Sequence, residues 1–117
     1  MSDIKDLTKI IVKFCEERDW EQFHNPKDLA LSLSLEASEV LEQFQWKSKE
    51  EIDEYVVEHK NEIGKELADT IYWILLMSYY LKIDIAKEVK EKMKENRKKY
   101  PVKKAKGKHL KYTAYAK

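Results

Sequence analysis

Glycine and proline are scarce in this chain, two of each in 117 residues. No glycine-rich loop is present to cradle a phosphate. Their scarcity beside abundant Glu, Lys and Leu points to an all-α protein, and the length fits one small domain. The single cysteine, Cys15, excludes an internal disulfide and fits a reducing compartment. With no second cysteine and no nearby histidine, it reads as a structural helix residue rather than a nucleophile. Long apolar runs are missing as well. The longest, from Thr70 to Leu81, falls short of the roughly 20 residues that a bilayer span needs. The opening MSDIKDLTK lacks the charged-then-apolar layout of a signal peptide. These absences lead us to expect a soluble, cytoplasmic protein with no membrane partner. Neither charge dominates, since the formal net charge is +1, so global charge names no partner. Lysine and arginine do concentrate from Lys87 onward, which makes the C-terminal quarter basic. There is no H-E-x-x-H, no Ser-His-Asp signature, and no E-x-x-H of the kind a di-iron bundle carries.

The periodicity predicts four main helices. The first runs from about Asp3 to Arg18, with Ser2 as cap and Ile4, Leu7, Ile11 and Phe14 on its apolar face. Asn25 followed by Pro26 opens a second that runs to about Gln45. Ser48 and Glu51 form a capping box for a third, which reaches about Leu81 and has a possible break between His59 and Asn61. Asp84 caps the fourth, which ends near Tyr100 because Pro101 cannot continue it. This divides the chain into an all-α domain, 1–100, and a basic tail, 101–117, containing Tyr112 and Tyr115. The sequence leaves open whether the tail is an ordered arm.

What the chain does have is two matched acidic pairs. Glu36 and Glu39 form an E-x-x-E on the second helix, and Glu66 and Asp69 form an E-x-x-D on the third. Three residues is just under one helical turn, so each pair shares a face. On the wheel, the first pair flanks the stripe Leu29, Leu33, Ala37, Val40 and Phe44, near Ser32 and Gln43. The second flanks Ile63, Leu67, Thr70, Ile74 and Met77, in line with Glu62 and Trp73. Two such helices packed antiparallel would gather four carboxylates that repel one another unless a cation neutralises them. An all-oxygen acidic set suits a hard divalent cation, above all Mg²⁺, whose natural client is a polyphosphate. Either pair alone would more often be a solvated helix face, as we read Glu42 and Glu62. Core packing is the default for Trp20, Trp46 and Trp73, though three tryptophans near an acidic site also suit stacking on a nucleobase. Leu31, Leu35 and Leu41 lie off the first stripe, and Tyr72, Leu75, Leu76 and Tyr79 off the second. Four short helices cannot bury all of these, so an oligomer is expected, at least a dimer.

The segments WEQFHNPKDLALSLSLEASEVLEQFQWK, GKELADTIYWILL and KMKENRKKYPV resemble the MazG-like all-α nucleotide pyrophosphohydrolases, in particular their dCTP pyrophosphatase branch. The likeness covers nearly the whole chain. The acidic pattern is moderately specific by itself and strongly so when joined to WEQFH, FQWK and N-R-x-x-Y-P. The resemblance implies a four-helix bundle assembled as a homo-oligomer, with a tetramer favoured. It implies Mg²⁺-dependent cleavage of a nucleoside triphosphate to monophosphate and pyrophosphate, serving to cleanse the nucleotide pool. The metal would be held at Glu36, Glu39, Glu66 and Asp69, with Glu36 or Glu39 activating the nucleophile. Trp20, Phe23, His24, Trp46 and Trp73 would form the base and sugar pocket, and Lys92, Asn96 and Lys99 would face the phosphates. Two positions depart from the branch: Ile11 stands where relatives carry a substrate-contacting His, and Trp73 where Tyr is frequent. The expected substrate is dCTP or a modified dCTP. The alternatives are the same chemistry on another nucleotide such as dUTP, or a non-enzymatic nucleotide-binding or adaptor oligomer. No nucleic-acid partner is expected.

Overall fold

A computed structural model describes residues 3–115, the side chains of Tyr112 and Tyr115 excepted. All regular structure among them is helical. Helix α1 spans Ile4–Glu17, α2 Pro26–Glu42, α3 Lys49–Glu58 and α4 Lys60–Tyr80, with a 3₁₀ turn at Glu21–Phe23 between α1 and α2. Helix α5 spans Ile85–Lys99 and α6 Val102–Ala105, followed by a 3₁₀ turn at Tyr112–Tyr115. The contacts divide into two units, one up to Lys82 and one from Ile83 onward.

Three of the predicted caps form as the sequence dictates. The Asn25 side chain accepts from the Asp28 backbone N–H at 3.0 Å, with Pro26 in the first turn. Ser48 and Glu51 bond reciprocally at 3.2 and 3.1 Å. Asp84 accepts from the Lys87 N–H at 3.1 Å. Each satisfies a backbone donor that a helix start would otherwise leave orphaned. At α1 the cap is Asp3, which accepts from the Asp6 N–H at 2.9 Å; Ser2 lies outside the described residues. The third predicted helix is two helices. The chain leaves helical geometry at His59, whose ring stacks on Tyr55 at 4.1 Å between centroids. The second helix ends at Glu42 rather than Gln45, and residues 43–46 form a turn. Four predicted helices thus become five, with short α6 beyond them.

In the first unit, α4 is the central element. It packs along α2 and also against α1 and α3. The run with α2 is antiparallel: His24, just before α2, meets Tyr80 near the end of α4, and Glu36 and Glu39 further along meet Glu66 near its start. The core comprises Val12, Cys15, Leu29 and Leu76, ringed by Ile11, Tyr72, Trp73, Met77 and Tyr80. The predicted α4 stripe is corrected here. Leu75 and Leu76, placed off it, are buried, and Leu67, placed on it, is 53% exposed. A single wheel assumes one neighbour, whereas α4 packs against α1, α2 and α3. In the second unit, α5 contacts the Tyr112–Tyr115 turn.

Candidate metal centre and adjoining pocket

Helices α2 and α4 carry the acidic residues at the predicted i, i+3 spacing. Their antiparallel packing brings one carboxylate oxygen from each of Glu36, Glu39 and Glu66 within 4.8 Å of the other two. Glu36 and Glu66 are half-buried and Glu39 is exposed. Asp69 stands outside this trio on the exposed side of α4, yet its charge still acts on Glu36 and Glu66.

The electrostatics are those of an uncompensated anionic cluster. Burial pushes the Glu36 carboxyl above its ordinary range. A hydrogen bond with Glu39 and the charges of Glu39 and Asp69 add to this, while Trp73, as a donor, pulls it down. Glu66 is likewise raised, first by its hydrogen bond with Glu39, then by burial and the surrounding acids. Oε2 of Glu36 and Oε2 of Glu66 are both shut off from solvent with no hydrogen-bond partner. A buried carboxylate oxygen without a donor is costly, and a cation between the two helices removes that cost. The donor set is all oxygen, which is what a hard divalent ion takes. The residues therefore fit a metal of that class.

Beside the cluster lies a cavity of about 270 Å³ lined by Trp20, Phe23, His24, Asp28, Leu29, Ser32 and Trp73. Its aromatic wall follows from how α1 stops. Asp19 adopts a left-handed conformation with φ 54°, tolerable for Asp, and the Trp20 N–H turns back to the Cys15 carbonyl at 3.1 Å. The Gln22 side chain donates to both the backbone and the side chain of Asp19 at 3.0 Å, bracing the 3₁₀ turn that presents Phe23 and His24. His24 meets Trp73 edge-on, centroids 6.2 Å apart, and its Nδ1 lies 3.0 Å from the Tyr80 hydroxyl. Burial holds the His24 pKa down, against the Glu21 charge that would raise it.

The structure thus gathers Glu36, Glu39 and Glu66 with Asp69 nearby, and separately gathers Trp20, Phe23, His24 and Trp73. Trp46 is not among the pocket's lining residues; it sits in the turn after α2 and is 87% exposed. Lys92, Asn96 and Lys99 lie on α5 of the second unit at helical spacing. There Lys92 pairs with Glu95 at 3.3 Å, and Asn96 reaches the Met93 sulfur at 3.6 Å. Sequence reasoning passed over two pocket residues, Asp28 and Ser32. Ser32 was legible on the wheel as a neighbour of the acidic flank, whereas Asp28 was hidden by its role at the helix start, where it also accepts from the Asn25 side chain at 2.7 Å. Tyr80 was missed too, because its bond to His24 spans 56 positions in the chain.

Comparison with known proteins bears on the family and the fold. The model of the MazG-like family matches residues 31–114. The rat protein dCTP pyrophosphatase 1 is 36% identical over 112 residues, covering 94% of this chain and 66% of its own length. The human dCTP pyrophosphatase 1 is 33% identical over the same coverage. This chain therefore spans just under two thirds of those relatives. A crystal structure of a pyrophosphatase from Archaeoglobus fulgidus superposes with a TM-score of 0.80 at 36% identity, covering 86% of this chain and 94% of that one. No helix among the described residues is long and apolar enough to cross a membrane. The acidic helix pair, the fold and the extent of these matches together make the chain a member of the MazG-like family.

Proposed function

We propose that the chain is a Mg²⁺-dependent nucleoside triphosphate pyrophosphohydrolase that adds water across the α–β phosphoanhydride to release monophosphate and pyrophosphate, with dCTP or a modified dCTP as substrate. The observation that carries this reading is the shared position of Trp73. Its indole acts on the Glu36 carboxyl of the acidic cluster and also forms a wall of the aromatic pocket. A polyphosphate on the cluster would therefore put its base side against flat, stackable surface. The names of the mammalian relatives supply the cytosine nucleotide.

Glu36, Glu39, Glu66 and Asp69 would hold the cation, which when bound offsets triphosphate charge and the charge developing on the leaving pyrophosphate. Of the four, Glu39 is the exposed member of the trio and Glu36 the half-buried one. One of these two orients the attacking water and takes its proton. The Trp20, Phe23, His24 and Trp73 side chains orient the base and sugar. Lys92, Asn96 and Lys99 are the side chains we assign to the phosphates, on the chemistry of Lys and Asn as donors to anionic oxygen. Ile11 packs against the core cluster where the branch has a contacting His, so the recognition of the base falls to the remaining wall.

The test is pyrophosphate release from canonical and modified (deoxy)nucleoside triphosphates, with Mg²⁺ and with EDTA. Metal-dependent release led by a cytosine nucleotide is the expected result. Release led by dUTP or another base keeps the chemistry and replaces the substrate. No release from a folded protein with any nucleotide overturns the enzymatic reading in favour of a binding oligomer.

A further inference from the structure

The Tyr80 hydroxyl lies against His24, and nothing in the proposed chemistry uses it. Tyr80 Oη is 3.0 Å from His24 Nδ1, with the two rings tilted at 54° and centroids 5.3 Å apart. His24 lines the cavity and Tyr80 does not. With Nδ1 engaged by Tyr80, Nε2 is the ring's only other polar atom, and its hydrogen is decided by what Tyr80 does. The surroundings of the pair favour one direction for the bond. Glu21 acts on both rings, and Cys15 also acts on the phenol. Burial first, then Cys15 and Glu21, push the Tyr80 phenol pKa up, and burial pulls that of His24 down, so both shifts favour the neutral forms. A neutral phenol is a stronger donor than acceptor and a bare imidazole nitrogen is a strong acceptor, so Tyr80 donates to Nδ1. The hydrogen of His24 is thereby left on Nε2.

Resting on the nucleotide-binding reading of this pocket, we propose that Tyr80 is a positioning residue that locks His24 as an Nε2–H donor, so that the pocket offers a hydrogen to a substrate lone pair, a carbonyl oxygen or an unprotonated ring nitrogen. Cys15 and Tyr72 complete the support from behind. The Tyr72 hydroxyl is bonded to the fully buried Cys15 sulfur at 3.1 Å, and the Tyr72 ring abuts Trp73 edge-on at 4.9 Å.

The decisive variant is Tyr80→Phe, which removes one oxygen and keeps the ring, with Tyr79→Phe as control because Tyr79 is half exposed and outside the pocket lining. Two quantities are read on the full chain. The first is the ¹⁵N spectrum of the His24 ring at neutral pH, assigned with His24→Gln. The second is the KM–kcat split for the best triphosphate. We expect the wild-type His24 to be the Nε2–H form, Tyr80→Phe to become a mixture of tautomers, and KM to rise by about 2- to 10-fold with kcat nearly unchanged, the scale of one oriented hydrogen bond. Tyr79→Phe should move neither quantity. A wild-type His24 protonated at Nδ1, a tautomer indifferent to Tyr80→Phe, or an unchanged KM each overturns the proposal. The ring spectrum needs no substrate, so failure of the activity reading and failure of the Tyr80 role are seen separately.

Discussion

Among the described residues, like charges are crowded together in the Glu36–Glu39–Glu66 cluster. Several groups elsewhere are matched, Cys15 with Tyr72, Ser78 with the Ile74 carbonyl and His24 with Tyr80, while Glu21 Oε1 and Gln43 Nε2 are single unpartnered atoms. At the cluster, two buried carboxylate oxygens have no partner at all. Sequence placed all three glutamates on the right faces, since an i, i+3 pair on a helix is a purely local fact. How closely Asp69 approaches the trio depends on how far α4 is rotated against α2, which is not a local fact. Glu39→Gln keeps the shape and removes a ligand charge. Its Mg²⁺-dependent turnover should fall on the order of 10²-fold or more. Its metal-free thermal stability should hold or rise, because one repelling charge is gone from a crowded site. Full activity in that variant, measured by pyrophosphate release, would remove the cluster from the mechanism.

At the scale of elements, the pair α2–α4 is a clamp whose stability depends on proton and metal together. The Glu36 and Glu66 carboxyls titrate above the ordinary 4.5, so through that window the folded chain holds protons that the unfolded chain has released. The metal-free protein is therefore favoured at low pH by these two groups, and that contribution is lost as pH rises through their raised values. A divalent ion needs the ionised carboxylates, so its stabilisation grows over the same rise. Saturating Mg²⁺ should accordingly raise Tm by several degrees near about pH 7.5 and much less near about pH 4.5, where protons compete with the ion for both carboxyls. An equal shift at both pH values, read by thermal melting, would mean that the ion binds somewhere other than this clamp. The elements themselves were legible to the extent that their signals are local. Asn25–Pro26, Ser48–Glu51 and Asp84 each satisfy backbone donors within four residues, and all three formed. The break at His59 is stabilised by a ring stack with Tyr55, over which Lys47 sits at 4.3 Å. The α4 core assignment failed for a non-local reason, since α1 covers Leu76 and Tyr72 from a direction that the wheel of α4 alone does not contain.

For the molecule as a whole, the apolar ledger does not close within one chain. Val12, Cys15, Leu29, Leu75 and Leu76 are the buried apolar side chains of the described residues, a small core for this length. Against it, Leu31 and Leu35 stand one turn apart on α2 at 57% and 59% exposure, and Leu67 and Ile71 one turn apart on α4 at 53% and 42%. Completing the burial of a half-exposed Leu or Ile contributes on the order of 1 kcal/mol, so a surface with four such residues in two stripes favours a second copy over water. Trp46, the most exposed of the large apolar residues, fits the same account. Its ring would be held out of water by assembly rather than by its own chain. Sedimentation of the purified protein should therefore give a mass that is a multiple of 14.0 kDa, with the tetramer as the expected species. Leu35→Glu, which places a charge in the α2 stripe without touching the core, should shift that mass toward the monomer while the helical signal is retained. A wild-type chain that sediments as a stable monomer at micromolar concentration would mean that these stripes stay in water and that Trp46 has no covering partner.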